Sequence, residues 1–285
     1  MMKKLLASAA LASLTLSSVS GADTAIAEPH ILAMIEAGQP MEMEYNIKAS
    51  AWVFILPITG KANFRVTMNK DTYSIRSLVK TTGLADILVN YDLEIAASGY
   101  TTPDELNTYA FVSQNKDGKK NRRVDLKYLK DDFEMNATPR FGNLGDPAAT
   151  VEQALEAKDP VTALISFALE PRAEGEDPCG GPLKIFDGRQ LTHLHLTNQG
   201  LTPVKSEAWS GDAYECHIRM DKVAGYKEGE SDKDNLSGID GPLRMWLAPL
   251  PNGAYVPVRI EAESEDIGTV TLQAAKLKFT PLDEQ

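Results

Sequence analysis

Glu42-Met43-Glu44-Tyr45-Asn46-Ile47-Lys48-Ala49 decides the fold, because apolar side chains at 43, 45, 47 and 49 alternate with polar or charged ones. A strand sends successive side chains to opposite faces, so a period of two describes a strand with one dry and one wet face. The pattern recurs along the chain. Phe64, Val66 and Met68 alternate with Arg65 and Thr67, and Tyr73, Ile75 and Val79 oppose Arg76 and Lys80. Val124, Leu126 and Tyr128 alternate with Arg123, Asp125 and Lys127, and Val256, Val258 and Ile260 with Arg259 and Glu261. One apolar face per strand is the habit of antiparallel sheets.

The connections agree. Asn115-Lys116-Asp117-Gly118, Asp187-Gly188, Pro251-Asn252-Gly253 and Asp266-Ile267-Gly268 fall between alternating runs and read as hairpin turns. Short turns between consecutive strands predict a meander, not parallel βαβ units. Trp52-Val53-Phe54-Ile55-Leu56 breaks the alternation and reads as a strand covered on both faces, or one whose second face lines a cavity. Helix is expected in one insert, residues 147–170, where Asp146-Pro147 and Asp159-Pro160 each place a capping residue before a proline. Leu164, Ile165, Ala168 and Leu169 form an apolar stripe on the second of these helices. Residues 171–182 and 225–241 read as loops.

The ends of the chain indicate where it works. Lys3-Lys4, an apolar run from Leu5 to Leu16 and the small-x-small site Ala25-Ile26-Ala27 are the parts of a cleavable secretory signal. Residues 1–27 are therefore read as a signal peptide and 28–285 as a single periplasmic β domain carrying the helical insert. No later segment has the roughly 18 apolar residues of a membrane helix, so no transmembrane segment is expected in the mature form. With 29 basic against 40 acidic residues and a net charge of −11, the surface repels phosphate backbones, and nucleic acid is excluded as a partner. Both cysteines, Cys179 and Cys216, lie in the exported part. An even pair in an oxidising compartment predicts a structural disulfide.

Chemistry is harder to find. His193 and His195 share one face of a strand, as a metal site requires, but no third ligand has motif spacing, and the pair reads as solvent-facing. The acidic loop with Asp232 and Asp234 resembles the start of a calcium loop, yet Leu236 and Ser237 occupy the fifth position and the obligatory glycine. There is no Gly-x-Ser-x-Gly elbow. No enzyme activity and no cofactor are expected.

Several stretches together resemble a known family. They are Asp159-Pro160, Asp177-Pro178-Cys179, Phe186-Asp187-Gly188-Arg189, Cys216, Trp246-Leu247-Ala248-Pro249 and Tyr255-Val256-Pro257-Val258-Arg259-Ile260, followed by Gly268-Thr269-Val270, with Tyr45 on the first strand. The family is the periplasmic domain of unknown function 3108, and the resemblance runs from about residue 41 to 280, more strongly after 159. It implies a Gram-negative envelope protein of no settled activity and a mainly β fold, a curled antiparallel sheet in the form of a β-spiral or open half-barrel. The expected function is non-enzymatic support of cell-envelope integrity by binding an envelope component, whether protein, lipid or glycan. The alternative is a carrier of a lipid or lipoprotein acyl chain in a concave groove lined by Trp52, Phe54, Leu56 and Ile58. A metal-dependent or glycan-active hydrolase is the third reading.

Overall fold

A computed structural model describes residues 29–53, 56–83, 91–116, 121–227, 243–264 and 268–282. Alternation becomes strand as read. β1 (Met41–Val53) and β2 (Leu56–Met68) pair from Met41↔Met68 to Val53↔Leu56. β3 (Tyr73–Thr82), β4 (Asp92–Thr101), β5 (Leu106–Asn115), β6 (Arg123–Tyr128) and β7 (Phe133–Thr138) follow as an antiparallel meander. β8 (Leu183–Phe186), β9 (Leu191–Lys205), β10 (Ser210–Ala224), β11 (Leu243–Pro249), β12 (Tyr255–Ser264) and β13 (Gly268–Pro281) make a second one. β13 pairs with β1, so the two meanders fuse into one antiparallel sheet of 13 strands. The first and last strands lie inside it, and β7 and β8 are its edges. The sheet is curled and does not close.

The apolar run at Trp52 is not one strand. Its residues are divided between β1 and β2, with Trp52 opposite Pro57 and Ala51 opposite Ile58.

The helices of the insert join the two edges of the sheet. A short helix, α1 (Ile31–Glu36), precedes β1 and buries Ile31, Leu32 and Ile35 in the core. The insert contains α2 (Val151–Leu155) and α3 (Pro160–Leu169). The Asp159-Pro160 reading holds, since the Asp159 carboxylate accepts from the N–H groups of Val161 and Thr162. The Asp146-Pro147 reading does not. That helix starts four residues later, where Thr150 and Gln153 cap one another reciprocally. Nor is α3 one-sided. Val161, Ala163, Ile165, Phe167, Ala168 and Leu169 are all buried, because the sheet wraps around the helix. Arg172 closes its far end by donating to the Phe167 carbonyl at 3.0 Å.

Two apolar clusters result. The larger gathers the inward residues of β1–β7, including Met43, Tyr45, Val66 and Leu126, with α1 and most of α3. The smaller packs Phe167 of α3 against Ile218, Met245, Leu247 and the cysteines. β11 serves both, giving Met245 and Leu247 to one and Trp246 and Ala248 to the other. The disulfide between Cys179 and Cys216 forms as expected, tying the loop after α3 to β10 across 37 residues. Among the described residues no helix is long and apolar enough to cross a membrane.

Candidate functional site

The inward row of the sheet is fully buried where α3 packs and only partly buried beyond the helix N-terminus. Ala97, Phe111 and Leu126 lie in the buried row, while Ile95 and Ser113, one step along the strands, are half-buried. Register aligns them, pairing Ile95 with Ser113 and Ser113 with Val124. The unfilled part of the concave face is a cavity of about 350 Å³. Leu93, Ile95, Phe111 and Val124 form its walls, and Phe141, from the segment after β7, covers one side. Pro160 at the start of α3 and Asp187 from the β8–β9 turn form the floor, with Tyr91, Asn115 and Arg122 also in the lining.

The polar groups are held in defined ways. Arg122 donates from Nε to the Pro139 carbonyl at 3.1 Å, and its guanidinium centre sits 4.6 Å from the centroid of the Phe141 ring. Arg189 lies 5.8 Å from the same centroid and donates to Asn143 Oδ1 at 3.2 Å. Asp187 accepts from the N–H groups of Arg189 and Gln190 through Oδ1. Burial pushes its carboxyl above the usual carboxylate range, opposed by these bonds and by the Arg189 charge.

Behind Pro160 lies a buried polar belt. Asp159 is fully buried and accepts from the Thr108 hydroxyl at 2.7 Å. The hydroxyls of Tyr73 and Thr162 bond at 2.8 Å, and Ser166 Oγ accepts from the Leu106 N–H at 3.0 Å. Burial raises the Asp159 carboxyl, and burial first and the Asp159 charge second raise the Tyr73 and Tyr128 phenols. The belt ties α3 to β3 and β5. Its carboxylate has no solvent-exposed surface, so it positions the helix.

Two other cavities are lined mostly by polar and charged residues. One of about 300 Å³ between β5, α3 and β8 carries ion pairs that satisfy its charges, Lys158 with Glu105 at 2.7 Å and Lys184 with Glu156 at 2.6 Å. Another, of about 430 Å³, lies on the convex face among Glu44, Arg65, Arg76 and Glu94.

Of the candidate site residues singled out in the sequence, the described ones do not line this cavity. The side chains of Trp52, Phe54 and Leu56 fall outside the described residues, and Ile58 is half-buried on β2. His193 and His195 sit on β9 opposite Asp221 and Arg219 of β10. His195 Nε2 is 2.8 Å from Asp221 Oδ2, and His217 Nε2 is 3.1 Å from Glu215 Oε1. Burial, then the Lys184 and His195 charges, hold His193 below the ordinary histidine value. Among the described residues no three ligating side chains gather as a metal site. The acidic residues Asp232 and Asp234 fall outside the described residues. An absence of Ser-x-x-Lys, expected from the sequence, is corrected: Ser77 to Lys80 and Ser113 to Lys116 both have that spacing. Ser77 and Ser113 lie on strands, where positions three apart face opposite ways, and the two lysines pair with Asp92 and Glu94. The concave cavity itself was missed. Its signal was inward Ser113 among apolar partners, a polar residue where a filled core would have an apolar one.

None of the curated proteins matches this chain. Among solved structures, a β-barrel-like protein of the domain of unknown function DUF1849 from Brucella abortus is similar over 85% of this chain and 98% of that one, with 12% identity and a TM-score of 0.49. A DUF1329 family protein from Desulfovibrio piger is similar over 89% of this chain and 90% of that one, with 10% identity and a TM-score of 0.29. The model of the family described as protein of unknown function DUF3108 matches residues 42–275, most of the chain. The chain belongs to that family.

Proposed function

We propose that this chain is an exported binding protein without a reaction of its own, which holds an apolar or amphiphilic component of the cell envelope in the concave cavity of β4, β5 and β6. One observation carries the reading: Leu93, Ile95, Phe111, Val124 and Phe141 line about 350 Å³ of concave space that the interior helix leaves unfilled. Ligand pockets are concave, mostly apolar and about 300–1,000 Å³ in volume. The lower end of that range suits one chain of a lipid better than a whole two-chain lipid. The leader-like residues Met1 to Ala27 support export. A carrier role and a role in envelope integrity then differ only in what happens after the ligand is bound.

Native mass spectrometry of protein purified without detergent from the envelope fraction tests the reading. A co-purifying lipid mass, released by organic extraction and taken up again on incubation, is expected. Protein that carries no lipid and takes none up would overturn it.

A further inference from the structure

Resting on that reading, we infer that the cavity selects a single-chain amphiphile with an anionic headgroup, which Arg122 receives beside the Phe141 ring, the Arg189 guanidinium 5.8 Å from the centroid of the same ring adding positive charge. Charge partition across the molecule points there. The chain has more acids than bases, 40 against 29, and three cations on or beside the strands that wall the cavity have carboxylate partners. Lys80 pairs with Asp92, Lys116 with Glu94 and Arg123 with Asp125. Arg122 and Arg189 are different. Among the described residues neither has a carboxylate oxygen within salt-bridge distance.

Their geometry keeps donors free. A guanidinium carries five N–H donors. Arg122 uses Nε on the Pro139 carbonyl, which leaves its terminal nitrogens without a bonded acceptor among the described residues. Arg189 uses one terminal nitrogen on Asn143, while its Nε is buried and has no acceptor among those residues. A buried donor without a partner costs stability unless something supplies an acceptor. The Phe141 ring holds both guanidiniums by its face without consuming an N–H. A carboxylate or phosphate matches the planar fork of arginine, whereas a hydroxyl headgroup offers one oxygen and no charge.

Among the described residues Asp187 is the one acid in the lining, and it opposes an anion. Its Oδ1 is committed to the Arg189 and Gln190 N–H groups. The headgroup therefore belongs on the Arg122 side, with the alkyl chain along Leu93, Ile95, Phe111 and Val124.

Calorimetric titration of delipidated mature protein with dodecanoate, dodecyl phosphate, dodecanol and inorganic phosphate separates the terms. Both anionic amphiphiles should bind about tenfold or more tightly than dodecanol, in line with charge-assisted hydrogen bonds. Inorganic phosphate should bind far more weakly than dodecyl phosphate. Arg122→Gln should lower dodecanoate affinity about tenfold and leave dodecanol unchanged. Equal affinity of dodecanol and dodecanoate for the unmodified protein would overturn the headgroup assignment while the apolar cavity stands. Phosphate binding as tight as dodecyl phosphate would make the site one for free anions and would overturn the amphiphile. Failure of all four, with no co-purified lipid, would remove the cavity reading as well.

Discussion

The rings of Phe133 on β7 and Phe186 on β8 meet edge to face with centroids 5.3 Å apart, although these strands are opposite edges of the sheet. Side chains thus bridge a seam that backbone hydrogen bonds do not close. Gly188 in the next turn has a φ of +94°, which favours glycine, and a Cβ there would crowd the seam, 3.0 Å from Val124 Cγ1 and 3.3 Å from Met135 Cγ. The seam is packed on one side and covered by the helical insert on the other, which fixes the curl without a barrel.

Removing the more deeply buried partner of this contact should loosen the seam. Phe186 is 1% exposed, and truncating a buried phenylalanine costs about 3–5 kcal/mol. Phe186→Ala should unfold at clearly lower urea than the parent, and amides of β7 should exchange faster. Phe133→Ala, at a half-buried ring, should cost less. Unchanged urea midpoints for both would deny the seam any part in holding the curl.

The Cys179–Cys216 bridge closes 37 residues, for which chain entropy gives about 4 kcal/mol. For a domain of this size that corresponds to about 10 °C in melting temperature. Cys216→Ser should melt lower by that order in oxidising buffer and match the parent once both are reduced. Equal melting without reductant would mean the native protein does not rely on the crosslink.

Much of this was legible because alternation is local. Tyr45, Phe64, Ile75 and Leu126 point inward for the reason visible in the sequence, that polar residues flank each one. The pairing of β1 with β13 was not legible, since nothing near Tyr45 names a partner more than two hundred residues away. The division of the Trp52 run was not legible, because Val53 pairs with Leu56 and the run holds none of the Gly or Asn that usually marks a strand junction. Asp146-Pro147 imitated a helix start, and the informative pair was Thr150 with Gln153. The cavity depends on how far α3 fills the curl, a property of packing between distant segments, so Ser113 and Phe141 drew no notice.

Asp159 should reveal its burial through pH. Burial raises its carboxyl in the folded protein above the ordinary value of 3.8, despite opposing hydrogen bonds. The folded state therefore binds a proton more readily than the unfolded one. Stability from this group is fully present below the unfolded pKa and is lost as pH rises through the folded one. Asp159→Asn keeps an acceptor for the Val161 and Thr162 N–H groups, and the Thr108 hydroxyl can turn to accept from the amide. Relative to that variant, the wild type should gain stability as pH falls from neutral toward 4, measured by urea unfolding at each pH. A difference constant across that range would mean that burial does not raise this carboxyl. Asp159→Ala, which strips the cap and the Thr108 partner together, should be about 2 kcal/mol less stable than Asp159→Asn at any pH.

Filling the cavity should separate binding from folding. Ser113 is half-buried in the lining, between Ile95 and Val124 by register. A phenylalanine there would extend into open space rather than into packed atoms, so overpacking strain is small. Ser113→Phe should keep its melting temperature within a few degrees, gaining buried apolar area at about 25 cal/mol per Å², and should lose lipid uptake. Glu134→Gln, at an exposed position of β7, serves as the control with uptake intact. Lipid binding at parental affinity in a well-folded Ser113→Phe protein would place the ligand somewhere other than between β4, β5 and β6.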